Sequence, residues 1–562
     1  MPTDPATPLP GPPPFDGATD WTPFAAARAR AVELVSWPSE TGTKAEAGFA
    51  PRLRDMLLRI PYFREHPEDI LLLDSHGQPL RRNLVAIVRG QGRSAVALAG
   101  HYDTVATENY GSHQPLACNP EALRAALIED LTASGRDPLA LDDLLSGAFL
   151  PGRGMLDMKS GLAAGITALE RFAAWPARRG SLILLASPDE EAESRGIRAL
   201  RDRLPDLLAE RGLSLRAAIN MDATSDQGDG RAGRTVYEGS IGKLAPCALV
   251  IGRPAHAAYP FEGVSAARLG AEVLRAVDAA PALADTGPAG VPAPPPVALE
   301  ARDLQPGYEV TTPAQMWLAF NWLFHSDSAA ARLDRFAAEV QAAVAQGLAD
   351  HASAAAALAP VGAMPQTDTP PPVLRLSDLR ARLRTDPALA RAHDAQAAAL
   401  DTCANPFEAA RRMMTWLAEA AGVSGPAVVI GLGSLHYPPV RLDPSRPADA
   451  RMIAALDRLQ DDCAADPQAA FRRAPHFMGI SDMSFLGQAA VPGAEAVAAN
   501  SATARMIDRH TPNAQAFPVI NLGPWGRDFH QRLERVHTLH AFDRLPRMLL
   551  RLADLLLDDT AP

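Results

Sequence analysis

Cysteine is scarce in this 562-residue chain: Cys118, Cys247, Cys403 and Cys463 stand far apart and form no Cys-x-x-Cys pair. That usage argues against a disulfide framework and fits thiols kept reduced in a cytoplasm. Long apolar runs are missing as well. None approaches the ~18 residues of a bilayer span, so no membrane partner is expected. Positive charge is in deficit, with 54 Lys and Arg against 65 Asp and Glu, a net charge of −11, and the arginines are interspersed with acids. Nucleic acid demands clustered Lys and Arg and is not an expected partner either. The proline-rich start, Met1 to Pro14, has no basic stretch followed by an apolar one, so residues 1–20 read as a disordered leader rather than a secretory signal.

What the chain does have is three short apolar runs, each ending on a residue able to bind a metal. Ser94 to Gly100 leads into His101-Tyr102-Asp103, Ser181 to Ser187 into Asp189-Glu190-Glu191, and Leu215 to Met221 into Asp222. Runs of this length bounded by polar residues are the pattern of parallel strands buried on both faces. In open α/β sheets ligands collect beyond the carboxyl ends of such strands, so the three ends are expected to converge on one site. A converging set of His, Asp and Glu points to a metallohydrolase.

At roughly 100 to 200 residues per domain the chain needs at least two domains. Helical spacing covers Trp21 to Val35 and Ala50 to Leu58, and strands are expected at Leu84 to Arg89 and Ala95 to Ala99. A polar, helical insertion occupies about 108–150, with helices at Pro120 to Ser134 and Leu139 to Ser146. After Asp157 the spacing of Leu162, Ile166, Leu169 and Phe172 predicts a helix that Trp175-Pro176 stops. The composition changes near Gly228-Asp229-Gly230-Arg231. Beyond it a strand at Cys247 to Ile251, a helix at Ser265 to Val277, a Pro-rich loop at Pro288 to Pro296 and a helix at Ala329 to Ala349 suit a small α+β insert. Buried-strand patterns return at Ala427 to Gly431 and Phe517 to Leu522. The expected organisation is a discontinuous α/β catalytic domain, 21–233 and 365–562, with a mostly parallel central sheet flanked by helices, and an inserted domain over 234–364.

Each site residue alone has an ordinary account. His101 is a strand-end histidine with a carboxylate, Asp103, placed to hold its second nitrogen. Asp157 lies in a glycine-punctuated loop before a helix, where an acid suits the helix N-terminus. Asp222 is a strand-end cap. Asp189-Glu190-Glu191 is harder to dismiss, because three successive acids after an apolar strand repel one another unless cations or protons compensate. Their joint occurrence in this order carries the inference.

The motifs read Gly100-His101-Tyr102-Asp103-Thr104-Val105, Gly152-Arg153-Gly154-Met155-Leu156-Asp157-Met158-Lys159-Ser160-Gly161, Glu190-Glu191, Asp222 and His530. In order, spacing and context the chain resembles the dinuclear zinc aminoacylase, deacetylase and glutamate-carboxypeptidase family of metallohydrolases. Within it the chain is most similar to the arginine-utilization (RocB-type) predicted deacylases, through the insertion opening at Asn109-Tyr110-Gly111-Ser112 and the segments Phe320 to Ser326, Ile480 to Phe485 and Gly523 to His530. The resemblance implies a zinc-peptidase-like catalytic fold and a lid or dimerisation-type insert. It implies that Asp157 bridges two Zn2+ ions, one completed by His101 and Asp222, the other by Glu191 and His530. His537 and His540 are rivals for the late position; His530 is chosen because Glu534 follows it by four residues.

The same resemblance makes Glu190 the general base. A zinc ion lowers the pKa of a water to about 7, and a free carboxylate nearby accepts its proton and can return it to the leaving amine. Gly252 to Pro260 matches the family segment whose histidine, here His256, stabilises the oxyanion from the lid. Whether His256 acts within one chain or across a homodimer stays open, and so does the metal, because His and carboxylate ligands also accept Mn2+ or Co2+. The lid strand of amino-acid-cleaving relatives carries Asp-x-Arg; here it reads Phe320-Asn321-Trp322, which leaves Asn321 as a candidate substrate contact. The expected activity is hydrolysis of a carbon–nitrogen amide bond in a small-molecule amide or short peptide, by an N-acyl amino acid deacylase or dipeptidase. Ureido or amidine hydrolysis on the same scaffold, and a metal-site protein that binds without turnover, are the alternatives.

Overall fold

A computed structural model describes residues 21–558 apart from 177, 226–232, 288–289, 291, 327, 359–370, 489–490, 492 and 510–513. The leader at 1–20, the composition change near Gly228 and part of the Pro288 to Pro296 loop therefore lie outside the described residues. The chain divides into two compact units, Met1–Ser240 with Val440–Ala489 and Thr511–Pro562, and Ile241–Pro439 with Ala490–His510.

The first unit begins with β1 (Ile70–Asp74), β2 (Arg82–Val88), β3 (Gln91–His101), β4 (Phe149–Pro151), β5 (Arg179–Ser187), β6 (Ser214–Asn220), β7 (Thr224–Ser225), β8 (Thr235–Tyr237) and β9 (Gly239–Ser240). The second contains β10 (Gly242–Leu244), β11 (Pro246–Ile251), β12 (Val297–Asp303), β13 (Gln315–Phe324), β14 (Val373–Arg375) and β15 (Ala427–Leu432). The chain then returns to the first with β16 (Val440–Arg441), β17 (Arg472–Ala474), β18 (Val519–Asn521), β19 (Trp525–Arg527) and β20 (Arg535–His537).

The first unit's large sheet runs β1-β2-β5-β3-β6-β18-β8-β17. It is mixed. Its centre, β5-β3-β6-β18, is parallel, whereas β1, β2 and β8 join antiparallel. The apolar runs become these central strands because every residue of β5 from Gly180 onward and of β3 from Ala95 onward is buried, which only a sheet covered on both faces permits. Helices Phe24–Val35, Ser160–Ala173 and Leu545–Leu557 share the core: Ala27, Ala31 and Leu34 meet Leu162, Ile166 and Leu169, with Leu549 and Leu552 in the same cluster. The predicted helix after Asp157 is thus present, and its apolar spacing is the face it buries.

In the second unit the sheet runs β10-β13-β11-β15-β14, with β12 paired to β13. Alternation along β11 divides two cores: Ala248 and Val250 join one with the helices Ala266–Val277 and Ala329–Ala357, while Cys247, Leu249 and Ile251 join the other with the helices Leu376–Leu383 and Pro406–Ala420.

This pairing corrects the expected domain limits. Residues 371–439 were assigned to the catalytic domain, yet β15 lies antiparallel to β11, Pro246 opposite Leu432 and Ile251 opposite Ala427, and β14 lies parallel to β15. An apolar run carries no mark of which sheet it joins. Among the described residues no helix is long and apolar enough to cross a membrane, and all four cysteines are free.

Candidate metal centre

The carboxyl ends of β3, β5 and β6 are neighbours because the strands are parallel and in register, His101 beside Ser187 and Ala99 beside Asn220. His101 is almost fully buried. Its Nε2 lies 3.1 Å from Asp157 Oδ1 and 3.7 Å from Asp222 Oδ1. The other oxygen of Asp157, Oδ2, lies 3.1 Å from His530 Nε2, and His530 Nε2 lies 3.0 Å from Glu191 Oε1. One carboxylate therefore faces two imidazoles with separate oxygens. Donor atoms of His101, Asp157 and Glu191 all lie within 4.8 Å of one another.

Two glycines bring these segments together. Gly154, at φ +72°, turns the loop that presents Asp157. A Cβ on Gly523 would come 1.8 Å from the Asp222 carbonyl, so only glycine lets the chain after β18 approach the end of β6 so closely. Asn521 completes that approach: its Oδ1 accepts from the Asp222 N–H at 3.0 Å and its Nδ2 donates to the Asp222 carbonyl at 3.0 Å.

Asp103 has a different task from the one the sequence pattern indicates. The closest partner of His101 Nδ1 is the Asp103 backbone carbonyl at 3.0 Å, whereas the carboxylate stands 3.6 Å away. That carboxylate accepts the Glu190 and Glu191 backbone N–H groups at 3.1 and 3.2 Å and the Thr41 hydroxyl at 2.8 Å. It fixes the turn that carries the two glutamates. The third acid of the run, Asp189, is turned elsewhere, to Arg195 at 2.8 Å and His76 at 3.6 Å.

The electrostatics call for added positive charge. Burial pushes the Glu190 and Asp222 carboxyls up, the former well above the usual range with Asp222 and Asp482 adding to it; burial and Asp157 push Glu191 up to about 7. Burial pulls His530 down, but its bonds to Asp157 and Glu191 outweigh this and carry it up to about 10. Five acids, Asp157, Glu190, Glu191, Asp222 and Asp482, share the region with two histidines. Unpaired buried carboxylates are strongly disfavoured, so this donor set fits divalent cations.

Of the three late histidines only His530 joins the cluster. His537 packs against Phe149 and Trp525, each with ring centroids 5.1 Å away, and burial next to Arg234 brings it down to about 4. His540 is buried beside the Gly523 carbonyl at 3.4 Å. The acid four residues after His530 also finds its place. Glu534 accepts from the Leu156 and Asp157 N–H groups at 3.1 and 3.2 Å and pairs with buried Arg153 at 2.6 Å, so it holds the Asp157 loop.

Two residues escaped sequence reasoning. Asn521 stands next to last in an apolar run, as Asn220 does, and that repeated Asn is the one signal that was available. Asp482 belongs to a segment singled out only by resemblance; it is buried, accepts from the Ser187 hydroxyl at 3.0 Å, and burial pushes it up to about 7. The remaining candidates lie in the second unit. His256, exposed after β11, has its Nδ1 accepting from the Ala258 N–H at 3.1 Å. Asn321, half-buried in β13, pairs with Val297.

Residues 97–522 match the model of peptidase family M20/M25/M40. Bacillus subtilis (strain 168) protein YqjN is 27% identical over 92% of this chain and 94% of its own length. Protein RocB of the same strain is 31% identical over 54% of this chain and 53% of its own. A succinyl-diaminopimelate desuccinylase of Leptothrix cholodnii is 30% identical over 44% and 56%. Among solved structures, a tripeptidase from Staphylococcus aureus superposes with a TM-score of 0.53 at 14% identity, covering 95% of this chain and 98% of that one. Aminopeptidase PepT from Bacillus cereus gives 0.51 at 12% identity, covering 95% and 99%. Fold, strand-end donors and the extent of the family match agree: the chain belongs to peptidase family M20/M25/M40 and is a metal-dependent hydrolase of that family.

Proposed function

We propose that the protein hydrolyses a carbon–nitrogen amide bond in a small molecule, as an N-acyl amino acid deacylase or narrow dipeptidase working in the cytoplasm. The observation that carries this reading is Asp157, whose two oxygens each face a different imidazole at 3.1 Å. In it, His101, Asp157 and Asp222 hold one Zn2+, Mn2+ or Co2+ ion, and Asp157, Glu191 and His530 hold a second. When bound, the pair polarises the scissile carbonyl and lowers the pKa of water towards neutrality. Glu190 takes the proton from the attacking water and passes it to the leaving amine. Asp103 serves both glutamates by gripping their backbone, which keeps Glu190 aimed while Glu191 turns to His530.

His256 is proposed to donate to the developing oxyanion. Its Nδ1 accepts a backbone N–H, so the ring proton sits on Nε2 and is available to donate. His256→Ala is expected to lower turnover by more than about tenfold, as for loss of one oxyanion donor, with metal content unchanged by elemental analysis. Unchanged turnover would remove His256 from the reaction.

The substrate class is tested with a panel of N-acetyl, N-succinyl and N-carbamoyl amino acids and dipeptides, including arginine and ornithine derivatives because of the likeness to RocB. Hydrolysis of acyl or peptidyl members that a chelator abolishes and Zn2+, Mn2+ or Co2+ restores is the expected result. Turnover confined to carbamoyl compounds would assign ureido hydrolysis instead, and tight binding without product a non-catalytic role.

A further inference from the structure

The 108–150 insertion and the β19–β20 hairpin that carries His530 are bonded at several points. Strand β4, at the end of the insertion, pairs with β20, Phe149 opposite His537 and Pro151 opposite Arg535. Asp143, buried on the helix Pro138–Ser146, pairs with Arg527 of β19 at 2.6 Å and with Arg535 of β20 at 2.8 Å. Asp130 pairs with Arg532 at 3.0 Å, and Leu533 packs on the insertion's own core of Tyr110, Leu123, Leu127, Leu131 and Leu144. Between the two arms the chain adopts left-handed backbone at Asp528, φ +57°, and at His530, φ +64°, which a non-glycine residue keeps only where the surroundings enforce it.

At the head of the insertion stands Asn109. Its Nδ2 donates to the His530 backbone carbonyl at 2.8 Å, and its Oδ1 accepts from Arg153 Nη2 at 2.7 Å. Arg153 in turn pairs with Glu534, whose other oxygen holds the Asp157 N–H. A polar path, Asp157 to Glu534 to Arg153 to Asn109 to His530, joins the loop of the bridging carboxylate to the loop of the late histidine; Arg153 Nη2 also reaches the His530 carbonyl directly, at 3.5 Å, and Asn109 is the shorter link, the one that the insertion supplies.

We propose that Asn109 is a positioning residue through which the insertion sets the affinity of the Glu191/His530 metal position, leaving the His101/Asp222 position untouched. This rests on the reading of His530 as a ligand. The left-handed backbone at His530 has to be held for Nε2 to keep its aim, and the Asn109 bond at 2.8 Å is the shorter of the two that hold its carbonyl, Arg153 Nη2 standing at 3.5 Å.

Stepwise Zn2+ and Co2+ affinities, by competition with a chromophoric chelator and by the Co2+ visible spectrum, test it on the full-length protein. Asn109 is exposed, so its variants are expected to fold, and thermal unfolding checks this. Asn109→Ala removes both bonds; Asn109→Asp keeps the acceptor for Arg153 and loses only the donor to His530. Both are expected to weaken the second metal by about 10–100-fold, the usual effect of losing a group that orients a ligand, with the first metal and the unfolding midpoint unchanged. Wild-type affinities in both variants while His530→Ala loses the second metal would overturn the role of Asn109 alone. Equal weakening of both metals with a lowered midpoint would overturn it too, as general destabilisation. Two unweakened metals in His530→Ala would overturn the ligand reading beneath it.

Discussion

Glu190→Gln is expected to lower kcat by about 10²–10⁴-fold, the usual contribution of a positioned general base, while the protein keeps its metals. Gln has nearly the same size and fills the same buried place, but its amide cannot take a proton. The backbone bonds from the residue 190 and 191 N–H groups to Asp103 do not involve the altered side chain, so the Glu191 carboxylate keeps its position 3.0 Å from His530. Elemental analysis and steady-state kinetics on the same preparation decide the matter. Full turnover with full metal would show that the proton goes elsewhere, with Asp482 the next buried acid to test.

Asp157→Ala is expected to do the opposite: both metals are lost at once, and turnover falls by more than about a thousandfold. The reason is geometric, since the two oxygens of Asp157 face His101 and His530 separately, each at 3.1 Å. A metal pair supplies several kcal/mol of transition-state stabilisation and each 1.36 kcal/mol is tenfold in rate, so losing the pair outweighs losing the base's proton transfer alone. Isothermal titration with Zn2+ reads this directly. Retention of two tight sites would mean that Asp157 does not bridge, and the two-metal reading would fall with it.

The sheet centre was legible because β3, β5 and β6 are buried on both faces and therefore write continuous apolar runs. Their metal-binding ends were legible because polar, metal-binding side chains follow each run directly, although burial continues through His101, Asp103, Asp189 and Glu190. What was not legible depends on adjacency. The true partners of Asp103 follow from β3 lying beside β5, a fact that no spacing within Gly100 to Val105 contains. The choice of His530 over His537 and His540 turns on which of three nearby histidines a hairpin aims inward. The domain limits failed at β15 because a strand of six buried residues reads the same in either sheet. Short strands such as β8 and β17, three residues each, are below the length at which a period can be seen.

The Asn521 amide, exchanging two hydrogen bonds with the Asp222 backbone across 299 residues of chain, has a consequence for synthesis. Until the ribosome has passed β18, β6 has no neighbour on that side, and its row of N–H and C=O groups is an open edge. At 5–20 residues per second the delay is about 15–60 s. The nascent chain spends that time with a bare strand of Ala, Ile and Asn beside unsatisfied carboxylates, so the arrival of β18 bears not only on whether a catalyst forms but on whether the growing polypeptide stays free of self-association.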